Sequence, residues 1–390
     1  MPSQLAPVTP DVLKWARESI NVSVAEAAKR AKVPNQRLED WERGEGMPTV
    51  AKLRDLADLY RRPLAVFFLP EPPAGYSTIR DFRRLPDLAD HTWSRALHKV
   101  YRRAVDQQET MVELAEDDLA PQVPTAEVTE DPEIVAGRLR SALGISIEEQ
   151  FSWRKPEDAL KGWIEAVEDL GVLVLRTSDL DLEEMRGFSL PHDEAPVVVV
   201  NALDFPRGQA FTLLHELAHL ALRTAGLCDT YEPDGAADKR VETFCNAVAA
   251  AIAMPKEEFL KESLVAPTGA RSWDQADLVV LSTRWSVSTE AILRRLVTFG
   301  RATPAFHGAK RAEYLAFYRK HREEERAKRK AAKKNGGPPP HRMAIRDRGA
   351  PYVRTVLDAY HRDAISLSST SWALGLKVRH IPATERAIRR

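Results

Sequence analysis

Along residues 10–69, apolar positions recur three and four apart: Leu13, Ala16 and Ile20; Ala27, Ala28 and Ala31; Leu53, Leu56, Ala57 and Tyr60. That is the period of a helix that buries one face. The runs break at Asn21-Val22-Ser23, Val33-Pro34, Gly44-Glu45-Gly46-Met47-Pro48 and Arg62-Pro63, which predicts five short helices around a small core. Leu69-Pro70-Glu71-Pro72-Pro73-Ala74-Gly75 then reads as a stiff proline linker and a domain boundary. Helical spacing resumes over about 93–119, 133–143 and 159–170, with Pro121–Pro132 as a loop. After Gly171 the pattern changes to short β-branched or apolar runs, Val172–Leu175 and Val197–Val200, with Gly187–Leu190 between them. These predict strands of a small sheet. Helices are predicted again at about 207–223, 238–254, 274–284 and 288–299, then a charged one over 307–334 that Asn335-Gly336-Gly337-Pro338-Pro339-Pro340 terminates. Two or three short helices follow. The expected fold class is α+β, predominantly helical, with the small sheet beside the helices of the middle region.

Composition narrows the class. With 390 residues, 44% hydrophobic and 29% charged, the chain is globular and long enough for two to three domains. Four segments are expected: 1–69, a linker and helical connector over 70–150, a domain over 151–305, and a basic helical extension over 306–390. No run of 18 apolar residues suits a membrane span and no signal segment opens the chain, so a cytoplasmic protein is expected. Cys228 and Cys245 are the only cysteines, too few for a disulfide framework and suited to a reducing compartment. The net charge of +0 conceals an asymmetry of about +2 over 1–70, −16 over 71–300 and +14 over 301–390. The run Arg326–Lys334 carries much of the positive excess. Such a run is most often a solvated helix face; a tail that docks on the acidic middle and covers its cleft, and a polyanion partner, are the other two expectations.

The stretch His215-Glu216-Leu217-Ala218-His219 carries the chemistry. On a helix it places two imidazoles one turn apart on one face, able to reach a single tetrahedral ion, with Glu216 beside them to take a proton from an activated water. Its flanks Phe211, Leu213, Leu214, Leu217, Leu220 and Leu222 are apolar, and burying such polar groups without an ion is costly. One Zn2+ per chain is expected. A catalytic zinc needs a third protein ligand. Asp229, Glu232, Asp234, Asp238 and Glu242 are within reach in sequence, and Glu242 is preferred because it opens an apolar helix of Val241, Phe244, Val248, Ala249, Ala251 and Ile252. Asn246, one turn on, is placed to hold a ligand histidine through its second ring nitrogen. Cys245 reads as a small buried thiol. Tyr231, His192 and Arg207 are within sequence distance as oxyanion stabilisers, and none stands out.

These residues carry a resemblance. Phe211 to His219, then Glu242-Thr243-Phe244-Cys245-Asn246-Ala247-Val248-Ala249-Ala250, then Met254-Pro255, together look like the ImmA/IrrE metallopeptidases. Asn201, Trp285-Ser286-Val287-Ser288 and Arg294-Arg295-Leu296 match the same pattern. Leu214 stands where Ala is usual and Ala218 where Gly is usual; neither touches the chemistry. The resemblance covers roughly 150–300. It implies a gluzincin-like zinc endopeptidase with His215, His219 and Glu242 as ligands and Glu216 as base. Its implied substrate is a helix–turn–helix repressor, in stress-response, mobile-element or toxin–antitoxin control.

Residues 1–69 carry a second resemblance. Ala25-Glu26-Ala27-Ala28, the turn at Val33-Pro34, Trp41-Glu42-Arg43-Gly44 and Pro48-Thr49 resemble the XRE (Cro/repressor-like) helix–turn–helix. In such a module the second helix enters the major groove by its first residues, here Asn35, Gln36 and Arg37. Glu39 and Asp40 on the same helix repel phosphate, so DNA and a protein partner both stand as readings. The rival to the peptidase is a DNA-binding regulator or antitoxin-like binder that uses the zinc domain as a sensor or scaffold. Glu216 discriminates, because a structural zinc does not need it.

Overall fold

The structure, a computed structural model, describes residues 5–18, 22–60, 62, 64–72, 94–115, 120–223, 227–228, 236–314, 316, 318, 324 and 338–388. The rest of the proline linker, Asp229, Tyr231, Glu232, Asp234 and the run Arg326–Lys334 lie outside the described residues, as does the side chain of Asp238. The chain divides into two compact units, residues 1–99 and 100–390.

The first unit contains α1 (Pro10–Glu18), α2 (Val24–Ala31), α3 (Asn35–Glu42), α4 (Val50–Tyr60) and a 3₁₀ turn at Leu64–Phe68. Ser23 caps α2 by accepting the Glu26 amide hydrogen, which fixes where that helix begins. Leu13, Ala16, Ala27, Ala28, Ala31, Leu38, Trp41, Leu53, Leu56, Tyr60 and Phe67 share one core. The Trp41-Glu42-Arg43 signature has a division of labour. Trp41 is in the core, and buried Glu42 takes both Nε and Nη2 of buried Arg17 at 2.7 and 2.8 Å. Arg43 faces outward and pairs with Asp40 at 2.6 Å. Asn35, Gln36 and Arg37 are exposed on the first turn of α3, where Gln36 Nε2 donates to Asp40 Oδ1.

The second unit is built on a four-stranded sheet of order β1-β3-β2-β4: β1 Leu173–Thr177, β2 Gly187–Leu190, β3 Val197–Asn201 and β4 Leu227–Cys228. β1 runs parallel to β3, with Leu173 opposite Val197; β2 is antiparallel to both β3 and β4. The all-apolar Val197–Val200 run is explained by its central position, buried on both faces. Two long helices cover the sheet region: Pro206–Ala221, which holds the His-Glu-x-x-His stretch, and Ala236–Ala253, which holds Glu242. From Thr212 to Ala221 every side chain is buried, the signature of a core helix. It packs on β2, β3 and helix Pro156–Asp169, while the Glu242 helix packs against it and against Pro132–Leu143.

The charged helix expected over 307–334 lies largely outside the described residues; the other predicted elements sit within a few residues of the observed ones. β4, Ile147–Ser152 and Lys256–Lys261 lacked a readable period, being six residues or shorter. The last 50 residues contain four helices rather than two or three: Pro340–Arg348, Ala350–His361, Leu367–Ala373 and Ile381–Ile388. Pro340–Arg348 packs on β1. Alternate residues of β1 bond β3, so the backbone groups of Val174 and Arg176 point away from it. Arg103 Nη2 donates to the Arg176 carbonyl at 3.3 Å, and Gly349 lies against the Val174 carbonyl. The expectation that the tail covers the zinc cleft is therefore corrected for residues 340–388. They occupy the β1 edge, and the His215 helix meets β2 two strands away.

Candidate metal centre

The helical spacing of His215 and His219 turns both rings to one side, with centroids 4.8 Å apart. Their Nε2 atoms lie 3.1 Å from each other. Glu242, brought in by the neighbouring helix, places Oε2 at 3.3 Å from His215 Nε2 and Oε1 at 3.1 Å from His219 Nε2. A tetrahedral ion with bonds of about 2.0–2.1 Å holds adjacent ligands about 3.3–3.4 Å apart. The two imidazole nitrogens, 3.1 Å apart, and the two Glu242 oxygens, each within 3.3 Å of one of them, lie close to the spacing that a zinc-sized ion requires. The two imidazoles are 1% and 2% exposed, whereas the Glu242 side chain is 28% exposed, so the cluster opens on the carboxylate side. These three residues form the only group of potential ligands of this kind among the described residues.

Electrostatics point the same way. Burial favours the neutral form of Glu242, yet hydrogen bonds and charge from His215 and His219 hold its carboxyl at about 2. Burial lowers His219, but hydrogen bonds with Cys245 and Glu242 and the charge of Glu216 outweigh it and raise the ring to about 10. Burial pushes the Glu216 carboxyl up against the pull of His219 and His215. Carboxylates and imidazoles in this arrangement stabilise positive charge between them, which is what a divalent cation supplies.

Glu216 is fully buried. Ser189 Oγ, on β2, donates to its Oε2 at 2.9 Å, while Oε1 has no hydrogen-bond partner among the described residues. One oxygen is thus fixed and the other left to act. Gly187, two residues before Ser189 and on the same face of the strand, makes this approach possible. A Cβ there would lie 2.4 Å from Thr212 Cγ2, 3.0 Å from the Val199 carbonyl and 3.4 Å from Glu216 Cγ.

The Glu242 helix is anchored at its far end. Its last carbonyls would be orphans. Arg140 Nη1 takes Ile252 O at 2.7 Å, Gln150 Nε2 takes Ala253 O at 2.9 Å, and Arg295 Nη2 takes Met254 O at 2.7 Å. Arg295 is in turn held by both oxygens of Glu133, at 2.6 and 2.9 Å. Two cations at a helix C-terminus also suit its dipole.

Several expectations are placed differently. Asn246 Nδ2 donates to the Glu242 carbonyl at 2.8 Å, a bond within its own helix, and its proposed support of a ligand histidine would fall to Oδ1. Fully buried Cys245 is the residue that bonds His219. His192 accepts from the backbone of Glu194 and Ala195 in an exposed turn, and Arg207 donates to Ser282, so neither faces the cluster as an oxyanion stabiliser. Asn201 is structural: its Nδ2 donates to the carbonyls of Leu180 and Met185 and ties down the chain before β2.

A buried His/His/Glu triangle with a carboxylate beside it, on two adjacent helices against a small sheet, defines a metallopeptidase-like domain. Residues 167–297 match the family of the IrrE N-terminal-like domain, a peptidase family, and residues 13–67 match a helix-turn-helix family. The chain thus joins an N-terminal helix–turn–helix of the XRE type to an ImmA/IrrE-like peptidase-family domain. No curated protein matches it. A solved Mycobacterium tuberculosis transcriptional regulator aligns at 16% identity with a TM-score of 0.31, too distant to inform the site. The alignment covers 51% of this chain and about half the length of that protein, likewise 51%. No helix among the described residues is long and apolar enough to cross a membrane.

Proposed function

We propose that the chain is a zinc-dependent endopeptidase that cleaves a regulatory protein of the helix–turn–helix repressor class. The observation that carries this reading is the His215–His219–Glu242 triangle with the orphaned Oε1 of buried Glu216 beside it. A structural metal site has no use for such a carboxylate. His215, His219 and Glu242 would hold the ion, which when bound supplies Lewis acidity for activating water and polarising the scissile carbonyl. Ser189 fixes Oε2 and so orients Glu216. Oε1 takes the proton released as the peptide carbonyl is attacked and returns it to the departing amine. The apolar surroundings of Glu216 raise its proton affinity and suit it to that exchange. Residues 1–69 are proposed as the recognition module and 151–305 as the catalytic domain, acting in the cytoplasm; of the connector 70–150, helix Pro132–Leu143 packs on that domain.

A second reading, a DNA-bound regulator that uses the metal domain as a sensor, draws on Asn35, Gln36 and Arg37, exposed together at the start of α3. Arg43 also neutralises Asp40, which removes part of the repulsion toward phosphate. The test is zinc analysis and cleavage of helix–turn–helix repressors encoded beside this chain, with Glu216→Gln and Glu242→Ala. Glu216→Gln is expected to keep one zinc and lose cleavage by at least ~10²-fold; Glu242→Ala is expected to lose the metal. Cleavage by Glu216→Gln at the wild-type rate would overturn the peptidase mechanism and leave the sensor reading.

A further inference from the structure

The second unit contains a cavity of about 1200 Å³ to which the metal chemistry makes no claim. One wall is β1 and helix Pro156–Asp169; the other is the C-terminal helices Pro340–Arg348 and Ile381–Ile388. Its volume suits a small organic molecule rather than a folded partner. Leu160, Ile164, Val174 and Ile345 supply apolar wall, and Arg176, Arg342, Arg346 and Arg386 supply guanidinium groups.

Those charges are incompletely balanced. Lys161 pairs with Glu165 at 3.4 Å and Arg346 with Asp347 at 2.6 Å. Of the other two lining carboxylates, Glu157 is exposed, and Glu168 accepts the Ala350 amide hydrogen and is raised by burial to about 8, which leaves it mostly neutral near pH 7. Arg342 and Arg386 have no ion pair among the described residues. Arg176 is the most telling. Its Nη2 donates to Gln209 Oε1 at 2.7 Å, yet its buried Nε has no acceptor among the described residues. Burial, reinforced by the charge of Arg346, lowers its pKa to about 10. A buried guanidinium N–H without an acceptor is a cost that a bound anion removes. Planar guanidinium groups are matched to phosphate and carboxylate oxygens.

We propose that this cavity binds an organic anion, its phosphate or carboxylate head on Arg176 and Arg346 and its apolar body against Leu160, Ile164 and Val174. Arg342, exposed at the rim, adds attraction without being part of the packing. Through Arg176 the head touches a residue already bonded to Gln209, on the helix that holds His215 and His219. The site is separate from the metal and stands whether or not the chain cleaves peptides.

The test is calorimetric titration of the full chain with octyl phosphate, octanoate, octanol and inorganic phosphate. One of the two amphipathic anions should bind saturably at one per chain, and which of them binds tighter separates a phosphate from a carboxylate head. Octanol and inorganic phosphate, each lacking one half of the recognition, should bind at least about tenfold more weakly. Arg346→Gln and Arg342→Gln should each weaken the anion about tenfold, with zinc content and circular dichroism unchanged. Arg342→Gln changes only an exposed side chain, so its result stands even where Arg346→Gln disturbs folding. Absence of saturable binding up to about 1 mM, octanol binding as well as the anions, or unchanged affinity in Arg342→Gln or in a folded Arg346→Gln would each overturn the proposal.

Discussion

Gly187→Ala is the sharpest test of how the metal helix is seated. The new Cβ would stand 2.4 Å from Thr212 Cγ2 and 3.0 Å from the Val199 carbonyl, against ordinary carbon contacts of about 3.5–4.0 Å. Neither neighbour yields easily. The Val199 carbonyl belongs to the central strand, and Thr212 is buried on a helix with no exposed side from there to Ala221. Relief therefore requires β2 and the helix to separate by roughly an ångström. Overpacking of this kind costs about 1–3 kcal/mol. Losing a glycine from the unfolded chain returns about 0.4–1 kcal/mol, for a net destabilisation of about 1–2 kcal/mol. The same separation lengthens the Ser189–Glu216 bond, now 2.9 Å, because its two ends sit on the two elements being pushed apart. Denaturant unfolding of the zinc-loaded chain, followed by tryptophan fluorescence, reads the first effect; a chelator competition reads any loosening of the metal. Thr212→Ala removes the nearest atom and should restore about 1 kcal/mol to Gly187→Ala in a double-mutant cycle. A Gly187→Ala protein as stable as the parent, or no coupling to Thr212, would refute the close-approach explanation.

Three further outcomes are expected. Gln150→Leu strips hydrogen bonds from the carbonyls of Ala253 and Trp285 and from Arg140, and should cost about 2–4 kcal/mol by chemical denaturation; a parent-like midpoint would mean the helix end needs no such anchor. Glu168, raised by burial to about 8 with the Ala350 amide, Arg354, Glu165 and Asp169 around it, is favoured neutral in the fold, so its contribution is full below about 4.5 and lost as pH rises to 8. Glu168→Gln should therefore flatten the pH dependence of stability over that window, with a ceiling of about 4–5 kcal/mol gained at pH 9; an unchanged pH profile would sink the assignment. Glu42→Ala leaves Arg17 buried without its carboxylate and should cost about 3–5 kcal/mol, enough to unfold the first unit by circular dichroism; a stable helical module would show that the pair is dispensable.

What was legible in the sequence was whatever rests on local spacing. His215 and His219 are four apart on an apolar run, so the facing of their two rings follows from helical geometry alone. Glu242 followed from the apolar pattern of its helix, although that helix begins six residues earlier than the pattern suggests, at Ala236. Ser189 was missed although a signal existed: Gly187 and Ser189 alternate on one face of a four-residue strand, two small residues where the others are bulky, which marks a surface for close approach. Arg140, Gln150 and Arg295 had no such signal. They act on backbone carbonyls 112, 103 and 41 residues away, and nothing local distinguishes them from solvated charges and amides. Positions 245 and 246 are both about a turn from Glu242, so local spacing alone does not separate their roles toward the ligand histidines. The charge asymmetry pointed to a tail on the acidic middle but not to which edge of the sheet it would meet.

The covering of β1 has a consequence for how the chain behaves outside its fold. Val174 and Arg176 turn their backbone groups away from β3 on the five-residue run Leu-Val-Leu-Arg-Thr, and Arg103 and the Gly349 turn occupy that border. An uncovered border of this type is a template for another chain's strand. Proteolysis or truncation before residue 338 would remove Pro340–Arg348 and expose it. The shortened protein should then self-associate through β1, concentration-dependently, while its metal cluster stays intact two strands away. The C-terminal helices act in this respect as a guard against aggregation, and any trimming of the chain for study or for use must leave them in place.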